Sequence, residues 1–187
     1  MMLLSNFINR FQLQLPPHPK RPSNNRRHAA VLLPIISKPR PTLLLTQRSI
    51  TLRSHAGQVA FPGGGVDPED KSIIATALRE AEEEVNIPHQ KVQVLGKLPP
   101  LDSISGYLVT PIVGLLPPGL PFHNNPAEVS NIFEVPLSDA LSLSNYHHLD
   151  VSRRGQQHRI YFYWHQGQHI WGLTAAIIHQ LAQQIQV

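Results

Sequence analysis

The sequence predicts an α/β fold, with a mixed β-sheet held between helices in one domain spanning residues 1–187. Three observations predict it. Apolar runs of strand length recur along the chain, at Ala29 to Ile36, Thr42 to Thr46 and Tyr107 to Leu116. Two longer segments, residues 71–86 and the stretch from Thr174 onward, carry apolar residues at helical spacing instead. No internal repeat divides the chain, and 187 residues suffice for one real core. Strands mixed with two main helices give a sheet layered against helices.

Taken in order, Leu3, Leu4, Phe7, Ile8 and Phe11 recur at helical spacing and predict a short amphipathic helix packed on the domain. Residues 15–27, rich in Pro and Asn and carrying Lys20, Arg21, Arg26 and Arg27, read as a linker, so 1–27 is a helix followed by a basic connection. Ala29 to Ile36 reads as a strand. Pro39 and Pro41 mark a turn, and Thr42 to Thr46 is the next strand. His55 to Gly65 reads as glycine-punctuated loop. The helix over 71–86 has Asp67 or Asp70 as its N-cap and Pro88 as its stop. Val92 to Leu98 alternates as a strand does, Tyr107 to Leu116 is a long strand with an irregularity at Pro111, and Ser130 to Val135 is another strand. Arg159 to Trp164 is strongly β-prone, with His169 to Trp171 as its hairpin partner, and both tryptophans are expected in the core. The last helix buries Leu173, Ile177, Ile178, Leu181 and Ile185.

Composition bounds the chemistry. Hydrophobic residues make up 41% and charged residues 15%, which is globular rather than disordered. The absence of cysteine excludes disulfides, thiolate metal sites and a cysteine nucleophile. The most apolar stretch, Tyr107 to Phe122, is broken by Pro111, Pro117, Pro118 and Pro121, so no membrane span is expected. The N-terminus lacks the leading charge and long apolar core of a signal peptide, and the expectation is a cytoplasmic protein. A net charge of +4 favours anionic partners such as phosphates.

The acidic helix carries the chemistry. At about 100° per residue, Glu83 lies about 60° to one side of Glu80 and Glu84 about 40° to the other, so the three share one arc. Ile74, Ala77, Leu78, Ala81 and Val85 occupy the adjacent arc, leaving the acids along the edge of a buried stripe. Arg79 and Glu83 are four apart and can pair. Like charges at these spacings repel, and a hard divalent cation with oxygen ligands, Mg²⁺ or Mn²⁺, relieves that repulsion. A charge run is more often a solvated helix face. The glycines Gly63-Gly64-Gly65 just upstream favour the metal reading, since a glycine loop lets backbone N–H groups approach phosphate.

With these residues in view, the stretch resembles the Nudix box, Gly-x5-Glu-x7-Arg-Glu-U-x-Glu-Glu-x-Gly-U, where U is bulky and aliphatic. It matches over about 64–87 at Gly65, Arg79, Glu80, Glu83, Glu84 and Ile87, and departs at Lys71, Ala81 and Asn86, where the pattern has Glu, U and Gly. Asn is a mild replacement for Gly where a helix ends left-handed. Lys71 removes a carboxylate, and Asp70 sits one residue earlier as an alternative helix cap. Upstream, Leu44-Leu45-Thr46-Gln47-Arg48-Ser49 and Leu52-Arg53-Ser54-His55-Ala56-Gly57-Gln58-Val59-Ala60-Phe61-Pro62-Gly63-Gly64 resemble the additional motif of the coenzyme A pyrophosphatase branch of Nudix hydrolases. The bacterial members of that branch that the whole chain looks like tend to lack the first Glu of the box. The resemblance implies an α/β/α sandwich, dependence on Mg²⁺ or Mn²⁺, and hydrolysis of CoA to 3′,5′-ADP and 4′-phosphopantetheine.

On that reading Glu80, Glu83 and Glu84 are the metal ligands, and Glu83 is also placed among the catalytic groups. Arg48 and Arg53 are the candidate phosphate contacts, Arg being a permanently charged planar fork, and Gly63 and Gly64 are substrate-binding candidates with them. The general base lies between Glu128, which precedes a strand, and Asp102. His55 is read as stabilising its loop. The expected partner is a small-molecule nucleotide, with neither membrane nor nucleic acid involved, and a homodimer remains open. Two alternatives stand. One is a Nudix hydrolase of another dinucleotide such as ADP-ribose or NADH, although the Ser-Gln-Pro-Trp-Pro-Phe-Pro run of the NADH branch is absent. The other is a non-catalytic module holding nucleic acid on the basic surface, against which stands the lack of a basic-aromatic RNA motif.

Overall fold

The computed structural model describes residues 3–14, 26–153 and 155–186, so residues 15–25 of the expected linker lie outside the described residues. In chain order the elements are α1 (Leu4–Leu13), β1 (Arg27–Ile36), β2 (Thr42–Arg48), β3 (Val59–Ala60), β4 (Gly63–Gly65), α2 (Ile73–Val85), β5 (Gln93–Lys97), β6 (Leu101–Asp102), β7 (Tyr107–Leu116), β8 (Val129–Pro136), α3 (Leu137–Ala140), β9 (His147–Arg153), β10 (Gln156–His165), β11 (Gln168–Trp171) and α4 (Gly172–Ile185).

Strand β1 is the axis of the larger, mixed sheet. Along one edge it pairs in parallel with β7, from Arg27 opposite Tyr107 to Ile36 opposite Leu116. Its other edge has two partners. β2 runs antiparallel at Ile35 and Ile36, and β4 runs antiparallel at Ala29 to Val31. β2 therefore diverges from β1 and continues against β8 and β3, opening a wedge between the end of β2 and β4. β1 reads as a continuous apolar run because both its faces are covered. Ala30, Leu32 and Ile36 face one core with Ala77, Ala81 and Val85 of α2. Leu33 and Ile35 face the other with Phe7 and Phe11 of α1 and Ile177, Ile178, Leu181 and Ile185 of α4. The sheet is thus held between helices, as expected.

Several expectations are corrected. The expected irregularity at Pro111 does not interrupt the pairing of β7 with β1, where Pro111 lies opposite Val31. On the other edge Pro111 falls where β7 changes partner, between Lys97–Ile112 and Leu101–Val109, so its missing N–H is tolerated there. The register shift lies in β5 instead, between Val94 and Gly96, where a Cβ on Gly96 would come within 3.1 Å of the Phe11 ring. The Arg159–Trp164 hairpin belongs to a separate three-stranded antiparallel sheet, β11-β10-β9. β9 begins His147-His148-Leu149-Asp150, all exposed, and so lacks the apolar alternation that reveals a strand. Trp164 and Trp171 are 57% and 38% exposed, while Tyr163 and Ile170 are buried. Register decides this. Tyr163 opposite Ile170 is the inward pair, and Trp164 opposite His169 points outward, its ring stacked 4.5 Å from the imidazole. Among the described residues no helix is long and apolar enough to cross a membrane.

Candidate active site

Helix α2 positions the acids. Ser72, rather than Asp67 or Asp70, caps it, its Oγ accepting the Ala75 N–H at 3.1 Å. The helix ends before Pro88 is reached, at Asn86 in the left-handed conformation (φ 57°, ψ 42°). The Asn86 N–H bonds to the Glu82 carbonyl at 3.0 Å and the Ile87 N–H to that of Ala81 at 3.2 Å, which closes the last turn where the family pattern has Gly. Ala77, Ala81 and Val85 are buried against the sheet, so Glu80 and Glu84 emerge along the edge of that stripe and meet β4.

The glycine run is a strand, not a loop. Gly63–Gly65 forms β4 through its pairing with β1, and its free edge is clipped to α2. The Gly63 N–H donates to Glu84 Oε2 at 3.2 Å, and the Gly65 carbonyl accepts from Arg79 Nη2 at 3.2 Å. A Cβ on Gly63 would lie 2.3 Å from the Ala30 carbonyl oxygen, and one on Gly64 would lie 2.5 Å from the Glu80 carboxylate. The absent side chain at Gly64 admits the Glu80 carboxylate to the strand, and the one at Gly63 admits β1.

Glu84 is the buried centre of the cluster, with 4% exposure. Across the wedge Arg48 Nη1 stands 3.8 Å from its Oε1. Arg48 sits at the bulge that ends β2, and its Nε is buried without a hydrogen-bond partner among the described residues. Burial pushes the Glu84 carboxyl up to about 7, the Gly63 N–H and Arg48 pull it down, and the charges of Glu128 and Glu80 add to the rise. Glu80 is also raised, by burial first, against the lowering effect of Arg79 and with smaller contributions from Glu83 and Glu128. Glu128 is brought in by the segment before β8. The Asn125 N–H bonds to the Glu84 carbonyl at 2.9 Å, the Glu128 N–H to the Asn125 carbonyl, and the Ser49 N–H to the Glu128 carbonyl at 2.8 Å. That segment satisfies a carbonyl in the last turn of α2 while tying it to the end of β2. Asp102, the other candidate base, is exposed on β6 in an ion pair with Arg26. The largest influences on Glu80 and Glu84 include the charge of Glu128 and not that of Asp102.

Arg79 is the second hub, and sequence reasoning missed half of it. The expected pair with Glu83 forms, Nη1 to Oε2 at 3.0 Å, and leaves Glu83 more exposed than Glu80 or Glu84. The same Nη1 lies 3.0 Å from Glu80 Oε1. The unexpected partner is Asp70, whose two carboxylate oxygens accept from Nε at 3.0 Å and Nη2 at 3.1 Å. Lys71 is exposed. Arg53 is exposed in the turn joining β2 to β3 and forms no ion pair with another described residue. In that turn His55 takes a positive φ of 58° and its Nδ1 meets Gln58 Oε1 at 2.9 Å, a loop-stabilising role as expected.

Hard oxygen donors on one helix edge, with Glu84 buried among them and the Arg48 Nε buried without a partner among the described residues, make a donor set suited to a divalent cation and an anionic ligand. Among the described residues no three Asp, Glu or His side chains already converge at metal-holding distance. Arg79 Nη1 bridges Glu80 and Glu83, and Arg48 faces Glu84.

The chain is similar to known proteins in sequence and in fold. The family model for the NUDIX domain matches residues 26–160. A protein of Photorhabdus laumondii described as "Uncharacterized Nudix hydrolase NudL" is 81% identical over 187 residues, covering 100% of both chains. A Yersinia pestis (strain Pestoides F) protein of the same description is 61% identical over 190 residues, covering 98% of this chain and 96% of the other. Among solved structures, an Ap4A hydrolase binary complex from C. elegans superposes with TM-score 0.52 at 23% identity, covering 62% of this chain and 85% of that one. A MutT/nudix family protein from Enterococcus faecalis reaches TM-score 0.52 at 18% identity, covering 95% of this chain and 67% of that one. The solved structures share the fold, and the family match with the full-length relatives settles the rest: the chain belongs to the Nudix hydrolase family of pyrophosphohydrolases.

Proposed function

We propose that this protein is a divalent-metal-dependent pyrophosphatase that cleaves CoA to 3′,5′-ADP and 4′-phosphopantetheine. One observation carries the reading. Glu84 of the box is bonded to Gly63 and faced by Arg48, so the box and the upstream motif form one site rather than two neighbouring motifs. Glu80, Glu83 and Glu84 would hold Mg²⁺ or Mn²⁺, which when bound neutralises phosphate oxygens and acidifies a water. The protein's own groups do the remainder. Arg48 and the exposed Arg53 take the phosphates of an anionic substrate, including the extra 3′-phosphate of CoA. Gly63 and Gly64 act by seating Glu84 and Glu80. Glu128, close enough to raise both acids, accepts the proton of the attacking water as the phosphoanhydride P–O bond breaks. The setting is cytoplasmic, and the substrate is a small nucleotide derivative rather than nucleic acid.

The test is a substrate panel of CoA, acyl-CoA, ADP-ribose and NADH, with Mg²⁺ or Mn²⁺, read by mass spectrometry. Release of 3′,5′-ADP from CoA is expected, with CoA turned over faster than ADP-ribose or NADH. No turnover of CoA or acyl-CoA sinks the proposal. Glu84→Gln, which keeps shape and removes charge, should lower kcat by roughly 100-fold or more with the fold intact, the scale of losing a metal ligand or an oriented charge. Glu128→Gln should lower it about 100-fold, within the range for a general base.

A further inference from the structure

We infer that Asp70 is a positioning residue for the metal-binding carboxylates and takes over the part of the carboxylate missing at position 71. The inference rests on the metal-dependent reading of the site above. Asp70 presents both oxygens to one side of the Arg79 guanidinium, at 3.0 Å from Nε and 3.1 Å from Nη2. Its own carboxylate is fixed by the Asp67 N–H, which donates to Oδ2 at 2.9 Å, and its side chain is 6% exposed. With that side of the fork occupied, only Nη1 faces the box acids, 3.0 Å from Glu80 Oε1 and 3.0 Å from Glu83 Oε2. Nη2 is further anchored on the Gly65 carbonyl.

Two consequences follow. A guanidinium is planar, so a bidentate grip on one edge fixes the direction of the other. Asp70 thereby sets where Arg79 holds Glu80 and Glu83. The second consequence is charge. Asp70 and Arg79 together are neutral, which leaves the negative charges of Glu80 and Glu83 for a cation. Without Asp70, Arg79 is an uncompensated cation against those acids and competes with the metal for them. Lys71, where the family pattern has Glu, is exposed and positive, so within this segment the compensating charge comes from Asp70.

The experiment measures Mn²⁺ binding by electron paramagnetic resonance on purified, substrate-free protein, alongside kcat, KM and Tm. Asp70→Asn is expected to weaken Mn²⁺ binding about tenfold and lower kcat about tenfold or more, with KM for the nucleotide within about twofold, on the scale seen for residues that orient metal ligands. Moving the charge back, in Asp70→Asn/Lys71→Glu, should restore both quantities to within about threefold of native. Unchanged Mn²⁺ affinity in Asp70→Asn overturns the inference. So does a loss that follows the fall in Tm and is not recovered by Lys71→Glu. Should Asp70→Asn fail to fold, Asp70→Glu serves, since it keeps the charge but overreaches the fork. It should weaken Mn²⁺ binding about threefold, and native affinity there overturns the inference equally. Because Mn²⁺ binding is read without substrate, a native protein that binds Mn²⁺ but ignores CoA defeats the proposed substrate alone. A native protein that binds no Mn²⁺ defeats both.

Discussion

Burial pushes the Glu84 carboxyl from 4.5 to about 7, and that shift has a sign for stability. The folded state holds the proton more tightly than the unfolded chain, so the stabilisation is complete below about pH 4.5 and is lost as pH rises through about 7. In metal-free protein this one group contributes a loss of about 3 kcal/mol between those limits. Glu84→Gln carries no such titration. In urea denaturation with a chelator it should be the more stable protein at pH 8, with the advantage shrinking toward pH 5; parallel profiles for the two proteins would refute the account. The two glycines beside Glu84 and Glu80 separate fold from function in the same way. A Cβ on Gly63 meets backbone, the Ala30 carbonyl at 2.3 Å, which cannot yield cheaply, so Gly63→Ala should lose the fold. A Cβ on Gly64 meets only the Glu80 carboxylate at 2.5 Å, the end of a flexible side chain. Gly64→Ala should therefore keep its Tm within a few degrees and lose roughly 10- to 100-fold in kcat, the effect of displacing a catalytic group by about 1 Å.

At the scale of the element, α2 was legible because its signals are local. The 3.6-residue stripe and the acids on its edge follow from the sequence, and so does the replacement of Gly by Asn at a left-handed end. Its two caps can be tested independently of activity. Ser72→Ala should cost about 1 kcal/mol and Asn86→Gly should add about 0.5 kcal/mol, both measured by denaturant titration with kcat per folded molecule unchanged. The identity of the N-cap was not legible. Asp67, Asp70 and Ser72 all offer a capping oxygen, and Asp70 is withdrawn from the contest by an arginine nine residues further on. β4 was illegible for a different reason. Three glycines have no strand propensity, and this segment is a strand only because β1 lies beside it. The tryptophans failed on register, since size argues for the core while a one-residue alternation decides which face they take.

At the scale of the molecule, the layering was readable from apolar patterning, but the wedge that makes the site was not. It arises because β2 and β4 share one edge of β1 and then part, a non-local pairing that no window of sequence contains. That wedge is closed by α2 on one face of the sheet, while α1 and α4 seal the opposite face in a separate core. The two cores should therefore differ in what they transmit. Phe7, fully buried in the far core, can be cut to Ala at a cost of about 3–5 kcal/mol, yet it lies in a different core from α2 and the acids that the helix carries. Val85, equally buried but on α2 beside Glu84, costs about 2 kcal/mol when cut to Ala and lets the last turn of the helix shift against β1. Measured well below either Tm, Phe7→Ala should retain native kcat despite being the less stable protein, whereas Val85→Ala should lose about tenfold, because a small shift of the catalytic carboxylates suffices. If activity instead follows stability across the pair, with Phe7→Ala the slower enzyme, then the sheet transmits strain between its faces and the site is not built by α2 and the wedge alone.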